Sequence, residues 1–293
     1  MKERLYQNEF KSLLEGIYRN EAYFAGFFGG EIEALNGTKD TDKAFTVKLK
    51  NTVPTINNYS TDANVGMGTG TSNSNRFGEL KEVKYATTDV DYAWNWAMNE
   101  GIDRHTVNED FEEAVLDAIE DQAKAKVKMF DTRGGAYISK NAGKTVGLVD
   151  YSDTSILALF DELSETFADL EVNEEGLMAW VAPKLYNKLV NHPDATTLKN
   201  STADIGKNTV LEFKGFTIKR VPSKRFLGEP TAPEIAYVSL QGIGKQFTGI
   251  NTARTMEAFD FDGVALQGSG KAGEYVQEGN KKAIVKVIEG AIV

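Results

Sequence analysis

The chain has no cysteine, two histidines and no long apolar run among its 293 residues. Without cysteine, disulfide bonds, thiolate zinc sites and cysteine nucleophiles are excluded. The richest apolar stretch, YFAGFFGG at 23–30, is shorter than the roughly 18 apolar residues that a membrane helix needs. We therefore expect no membrane partner, and a cysteine-free chain suits a reducing cytoplasm.

Basic residues are also in the minority. There are 33 Lys and Arg against 43 Asp and Glu, which gives a formal net charge of −10. A free-standing nucleic-acid binder usually shows a basic face, and none is visible along this sequence. The hydrophobic content of 41% is that of an ordinary folded protein.

The stretch 66–75, GMGTGTSNSN, consists almost entirely of Gly, Thr, Ser and Asn. Gly66, Gly68 and Gly70 suggest a phosphate cradle, but no Lys and no helix follow them, as a nucleotide loop requires. The segments on either side are extended, since 45–50 alternates apolar and polar residues in the manner of a strand. The pattern predicts a long β-hairpin-like loop whose tip is flexible, and such a tip normally has a partner.

The strongest local pattern predicts a long helix over about 106–131. Thr106 and Glu109 have the spacing of a capping box, and Gly134 and Gly135 are typical of a helix end. Acidic residues come first and lysines last, as the helix dipole favours. One apolar stripe forms the predicted packing face of this spine helix: Phe111, Val115, Ile119, Ala123, Val127 and Phe130.

The remaining pattern indicates a mixed α+β class. Helices are predicted at 153–170 and from Pro183, a buried strand at GLMAWVA, and a hairpin that turns at Lys214 and Gly215. Further strands are predicted in EIAYVSL, in ARTMEAFDFDGVALQ and in the C-terminal KKAIVKVIEGAIV.

No pattern typical of catalysis or of a cofactor site is present. His105 and His192 lack neighbouring ligands, and Asp260 and Asp262 lack the further carboxylates of a calcium loop. GSGKAG at 268–273 departs from the spacing of a nucleophile elbow. We expect no enzyme, no metal and no cofactor.

The order of these parts resembles the major capsid protein of tailed bacteriophages, with the HK97-like fold, and is similar to those of phages of Gram-positive bacteria. The resemblance covers about 100–285 and lies in these blocks: IDRHTVNEDFEEAVLDAIEDQAKAKVKMFD, VAPKLYNKLVNHPDAT, LEFKGFTIKRVP, GINTARTMEAFDFDGVALQGSGKAGEYV and NKKAI. It implies an N-terminal arm (1–44), an E-loop (45–95), a P-domain (96–134 and 256–293) and an A-domain (135–255).

The resemblance also implies the assembly. Such subunits form hexamers, pentamers and an icosahedral shell around packaged double-stranded DNA, which is contacted non-specifically. The loop tip and its flank are then inter-subunit candidates: Gly66, Gly68, Gly70, Arg76, Phe77, Glu79, Lys81 and Glu82. The charged members of this group form inter-subunit ion pairs or are simply solvated.

Partners follow from the same resemblance. About 45 residues precede the loop, so we expect a separate scaffolding protein, beside a portal. Lysines flank the tip but none lies in it, so covalent crosslinking is not expected. Two alternatives stay open: the shell of an encapsulin-type nanocompartment, and a hydrolytic enzyme with an unrecognised carboxylate site.

Overall fold

The computed structural model describes residues 4–5, 7–35, 42–50, 54–63, 65–66, 75–107, 110–172, 175–196, 203–204, 207–229 and 232–291. The chain divides into two compact units. One comprises residues 41–91, and the other comprises residues 1–40 together with 92–293.

The described residues include α-helices of very different length. They are α1 (Gln7–Glu21), α2 (Phe111–Lys140), α3 (Asp153–Asp169), α4 (Pro183–Val190) and α5 (Pro193–Thr196). Short 3₁₀ turns occupy Ser223–Arg225 and Glu278–Ala283.

The strands are numbered in chain order. They are β1 (Arg4–Leu5), β2 (Ile32–Leu35), β3 (Lys43–Lys50), β4 (Tyr85–Asp91), β5 (Trp94–Asp103), β6 (Lys144–Leu148), β7 (Leu177–Val181), β8 (Ala203–Asp204), β9 (Thr209–Val210), β10 (Glu212–Phe213), β11 (Phe216–Arg220), β12 (Gly228–Glu229), β13 (Ala232–Leu240), β14 (Gly244–Glu257), β15 (Gly263–Val276) and β16 (Ile284–Glu289).

The five-stranded sheet is built on the long antiparallel hairpin of β14 and β15, with the order β1-β14-β15-β5. Strand β2 adds to β14 in parallel, alongside Gln246 to Gly249, while β1 pairs with the same strand near its other end. The strands before and after α1 therefore both pair with β14. Helix α1 lies over this sheet and against α2, with Phe10, Leu14 and Tyr18 buried at helical spacing.

The seven-stranded sheet has the order β10-β11-β7-β13-β16-β6, with β12 added to β13. Its central strands β7 and β13 are almost entirely buried, which is typical of strands covered on both faces. The larger hydrophobic core includes these strands and the apolar face of α3. Helix α3 and strand β7 confirm the sequence prediction, and so does the turn at Lys214 and Gly215, where both residues have positive φ.

The spine helix α2 differs from the prediction of 106–131 at both ends. Asp110 is the N-cap, and its side chain accepts the N–H of Glu112, so the predicted capping by Thr106 is wrong. The Thr106 hydroxyl instead donates to the Asp103 carbonyl, while Glu109 lies outside the described residues. At 30 residues the helix is about 45 Å long.

Gly134 and Gly135 do not end this helix but lie inside it. A Cβ at Gly134 would come within 2.8 Å of the Phe28 ring, and one at Gly135 would overlap the Arg225 carbonyl oxygen. Each glycine weakens the helix by about 1 kcal/mol relative to alanine. This cost is offset because the missing side chains allow other segments to pack directly against the helix backbone.

The aromatic segment after α1 docks on the chain's own core. Phe24, Phe27 and Phe28 are buried, and the Trp180 indole donates to the Tyr23 carbonyl at 3.1 Å. These aromatic side chains therefore pack within their own chain. Since these side chains fill the larger core, the N-terminal segment is part of the fold of the larger unit.

Sheet membership does not follow the expected domain division. Strand β16, within the stretch 256–293, pairs with β13 and β6, which lie in the stretch 135–255. The N-terminal strands likewise share a sheet with β5 and β15. The boundaries of the arm, P-domain and A-domain stay a prediction.

Candidate assembly interface

The smaller unit, residues 41–91, begins and ends with a two-stranded antiparallel ribbon of β3 and β4. Lys43 forms an ion pair with Asp89 at 2.7 Å, and the Thr46 hydroxyl donates to the same carboxylate at 2.7 Å. These two bonds, that from Lys43 first, lower the pKa of the Asp89 carboxyl. The other face is apolar, since Phe45 lies opposite Val90 and Leu49 opposite Ala86. This ribbon confirms the predicted hairpin.

Hydrogen bonds between the two arms beyond the ribbon hold the loop closed. The Arg76 guanidinium donates to the Ser60 carbonyl and to the Val65 carbonyl, each at 3.1 Å, and the Arg76 carbonyl accepts the Ser60 N–H. Nearer the ribbon, Lys81 Nζ donates to the Thr55 hydroxyl at 3.0 Å. The arms therefore have a defined conformation without help from another chain.

Asn57 adds a contact that depends on a glycine. Its side-chain amide donates to the Phe77 carbonyl at 3.2 Å and lies over Gly78, where a Cβ would come within 2.7 Å of the amide nitrogen. Gly78 also has φ of +85°, a conformation that favours glycine. The rings of Tyr59 and Phe77 meet edge to face at 5.2 Å.

Large apolar side chains of this loop are nevertheless left in water. Ile56 is 98% exposed and Leu80 is 93% exposed. Four further apolar side chains are about half exposed or more: Tyr59, Phe77, Val83 and Tyr85. Burying one aliphatic side chain of this size stabilises a complex by about 1.5–3 kcal/mol. Single exposed apolar residues are normal, but several of them on one loop make it a candidate interaction surface. The loop thus exposes Ile56 and Leu80 on arms that are joined by hydrogen bonds.

The predicted loop residues differ in their surroundings: some form bonds within the loop, and others are exposed. Arg76 and Lys81 are bonded within the loop, Glu82 lies 3.3 Å from Lys84, and Glu79 is exposed. Gly66 lies in a turn with φ of +75°. Gly68 and Gly70 lie outside the described residues. Sequence reasoning missed Ile56 and Leu80, because hydrophobicity by itself predicts that such residues are buried.

The predicted packing face of the spine helix is buried in its C-terminal half. Val127 and Phe130 are buried, whereas Phe111, Val115 and Ile119 are half-buried. The Arg104 guanidinium lies over the Phe111 ring at 5.2 Å. The buried surface continues to Ile138, beyond the predicted helix end. It also includes polar residues that no apolar stripe identifies: Gln122, Lys126, Asp131 and Ser139.

The other residues that the sequence analysis considered make contacts within the fold. His192 is buried against the Phe213 ring, with Nε2 3.3 Å from the Asp153 carbonyl oxygen. His105 and Arg104 both approach Asp262. GSGKAG lies within β15, where Gly270 makes room for the Trp96 ring. Among the described residues, no cluster of three or more His, Cys, Asp or Glu side chains is arranged to hold a metal ion.

Within the described part of the chain, none of the helices is both long and apolar enough to span a membrane. No protein-family model matches the sequence, and no curated protein matches it. Solved structures, in contrast, match almost the whole chain.

The chain is similar to the capsid of cyanophage P-SCSP1u, with a TM-score of 0.67 and 14% identity, over 92% of this chain and 89% of that one. It is also similar to the mature capsid of bacteriophage PhiM1, with a TM-score of 0.61 and 13% identity, over 93% and 88%. A virus-like particle from Pyrococcus furiosus matches with a TM-score of 0.51 and 11% identity, over 96% and 98%. The chain therefore has the mixed α/β, HK97-like fold of phage capsid proteins.

Proposed function

We propose that this chain is the structural subunit of an icosahedral bacteriophage head, which assembles into hexamers, pentamers and a closed shell around double-stranded DNA. The observation that carries the proposal is a capsid fold over nearly the whole chain, combined with a loop that exposes Ile56 and Leu80 on hydrogen-bonded arms. Shell subunits contact near-identical neighbours through heterologous surfaces, and such surfaces need extended elements. The role is structural, not enzymatic.

In this proposal the loop, assigned as 45–95, lies over a neighbouring subunit. The compact unit of residues 41–91 supports this assignment. The exposed apolar residues supply the binding energy, and the tip adapts to different angles between neighbours. Because Arg76 and Lys81 are bonded within the loop, their role in the interface is to keep its arms in position.

The proposal extends to partners and location. The subunit belongs to the virion, and we propose that it assembles in the host cytoplasm with a separate scaffolding protein and a portal, and that it contacts DNA non-specifically. The net charge of −10 supports weak, non-specific contact, since no strong overall attraction to phosphate is present. The sequence blocks named above resemble those of capsid proteins from phages of Gram-positive bacteria.

Electron microscopy in negative stain, together with light-scattering mass, tests the proposal. We expect rings or closed shells for the wild-type chain, and folded subunits that do not assemble for Ile56→Asp combined with Leu80→Asp. Asn58→Asp combined with Thr61→Asp is the matched control, because it adds the same two negative charges at exposed polar positions of the loop. Normal shells from the double variant would show that this surface is not the interface.

A nanocompartment shell is the second candidate, because the particle from Pyrococcus furiosus matches over 98% of its own chain. The contents of purified particles separate the two. Nuclease-resistant double-stranded DNA supports the phage head, whereas one abundant enclosed protein without DNA supports the compartment. A species of about 32 kDa that never assembles, even with other structural proteins of the same phage, would contradict both.

A further inference from the structure

A lysine lies at the centre of the smaller hydrophobic core, where α1 meets α2 and β5. Lys126 is 2% exposed, and among the described residues its Nζ has no hydrogen-bond partner. An ammonium group carries three donors and is strongly hydrated in water. A buried group of this kind without an acceptor opposes the packing around it.

Three aromatic rings surround the side-chain nitrogen of Lys126 in place of water. Its Nζ lies 3.5 Å from the centre of the Trp96 ring, 5.4 Å from that of Phe10 and 5.6 Å from that of Phe130. Ring faces attract a cation, but they accept no ordinary hydrogen bonds. The rings come from different elements: Trp96 from β5, Phe130 from α2 and Phe10 from α1.

Helix α1 is the cover of this cage. Half of the buried residues of the smaller core come from the N-terminal segment: Phe10, Leu14, Tyr18, Ala22, Ala25 and Ile32. On the flank of α1, Lys11, Glu15 and Arg19 border an open cavity of about 630 Å³. Because this flank of α1 faces solvent, displacement of the helix would bring water into contact with Lys126.

Among the described residues, no carboxylate of the surrounding elements compensates the lysine, and burial lowers its pKa well below the ordinary value. Glu100 of β5 accepts a bond from Gln122, and Glu274 of β15 accepts bonds from Trp94 and Gln246. Asp131 of α2 is held by the Phe24 N–H and by Arg225. Other titratable groups on the elements around the cage include Lys11, Glu15, Tyr18, Arg19 and Glu21 of α1, Glu120, Lys124 and Arg133 of α2, and Lys245, Arg254 and Glu257 of β14.

We propose that Lys126 makes the docking of α1 reversible and linked to a proton, so that the helix leaves its site as the lysine takes up a proton and water. The docked state holds fewer protons than the open state. Linkage therefore requires that docking weakens as the pH falls from the ordinary lysine value toward the value in the docked state. The smaller core is then the part of the larger unit that opens first, independently of any shell role.

Hydrogen exchange of peptides from α1, measured on the full chain between pH 7 and 9.5 and corrected for intrinsic exchange rates, tests this proposal. We expect protection of residues 7–21 to rise with pH, by up to about tenfold per unit, which is the limit for one linked proton. Lys126→Met should show stronger protection that no longer changes with pH. Lys128→Met, at an exposed position two residues further along α2, is the control and should follow the wild type.

A wild-type protection that does not change with pH would overturn the proposal, as would a Lys126→Met variant that keeps the wild-type slope. Weaker protection in Lys126→Met would also overturn it, because the ammonium would then stabilise the docked helix. Lys126→Gln provides a second neutral side chain if the methionine variant does not fold. It should remove the slope, and a retained slope would count against the proposal in the same way.

Discussion

The carboxylate of Asp131, in the middle of α2, accepts the backbone N–H of Phe24 at 3.0 Å. It also lies 3.5 Å from Arg225 Nε, and the whole group is almost fully buried. Burial raises the pKa of this carboxyl, while the backbone donors at Phe24 and Tyr23 and then Arg225 oppose the shift. One side chain thus holds the N-terminal segment against the spine helix.

Asp131→Ala should lower the free energy of unfolding by about 1–3 kcal/mol, because it leaves the buried Phe24 N–H without its acceptor and the Arg225 guanidinium without its counter-charge. Asp121→Ala is the control, since this exposed residue of the same helix makes only a weak contact with Lys124 at 3.9 Å. Its effect should stay within about 0.5 kcal/mol. Urea titration followed by circular dichroism measures both, and equal effects would contradict the role of Asp131.

For the glycines inside α2 we predict the opposite of what helix propensity suggests, namely that alanine destabilises the protein. Gly135→Ala should destabilise the protein by about 1–3 kcal/mol, because the new Cβ overlaps the Arg225 carbonyl oxygen and forces backbone apart. Gly16→Ala, in α1, has open space around the new Cβ and should stabilise by about 0.5–1 kcal/mol. Thermal unfolding compares the two, and stabilisation by both would show that Gly135 is not a packing site.

The effect of an introduced Asp on the folding of the spine helix should depend on how deeply the replaced side chain is buried. Val127→Asp and Phe130→Asp should prevent cooperative folding, since both side chains are buried in the smaller core. Phe111→Asp should be milder, because its ring is only half-buried, and Leu116→Asp, at a position 62% exposed, should leave folding intact. Soluble, cooperatively unfolding Val127→Asp protein would refute this order.

The loop offers a test of pre-organisation. Arg76→Met removes the donors to Ser60 and Val65 and should impair shell formation while the subunit stays folded. Lys84→Met is the control, because Lys84 is exposed and its ion pair with Glu82 is surface-lying. Light scattering reports assembly and circular dichroism reports folding.

Deletion of residues 66–75 should have the same effect as Arg76→Met, and shells of normal size and stability would contradict the role of the tip.

The sequence predicted those elements whose cause is local. Helix α3 shows its apolar spacing, β7 is a short run of buried residues, and Lys214 with Gly215 has the composition of a tight turn. The resemblance also predicted the HK97-like fold, which the structural matches confirm. The helix, the strand and the turn each depend on residues that are close together in the chain, whereas the resemblance depends on the order of blocks along it.

The errors lie where distant segments meet. Gly134 and Gly135 suggested a helix end, but the atoms that require them belong to Phe28 and Arg225. Asp110 and Thr106 are both acceptable N-caps by type, and only the packed structure decides between them. The exposure of Ile56 and Leu80 could not be read from their hydrophobicity, which predicts burial.

The sequence by itself determined the class of the fold and the hairpin loop, because periodicity and turn chemistry act over a few residues. Only the tertiary structure decided where the spine helix ends and that Phe24 and Phe28 dock on their own chain. It also decided that Lys126 lies among three rings without a described hydrogen-bond partner. The physical reason is that burial depends on which remote segments pack together, and no local pattern carries that information.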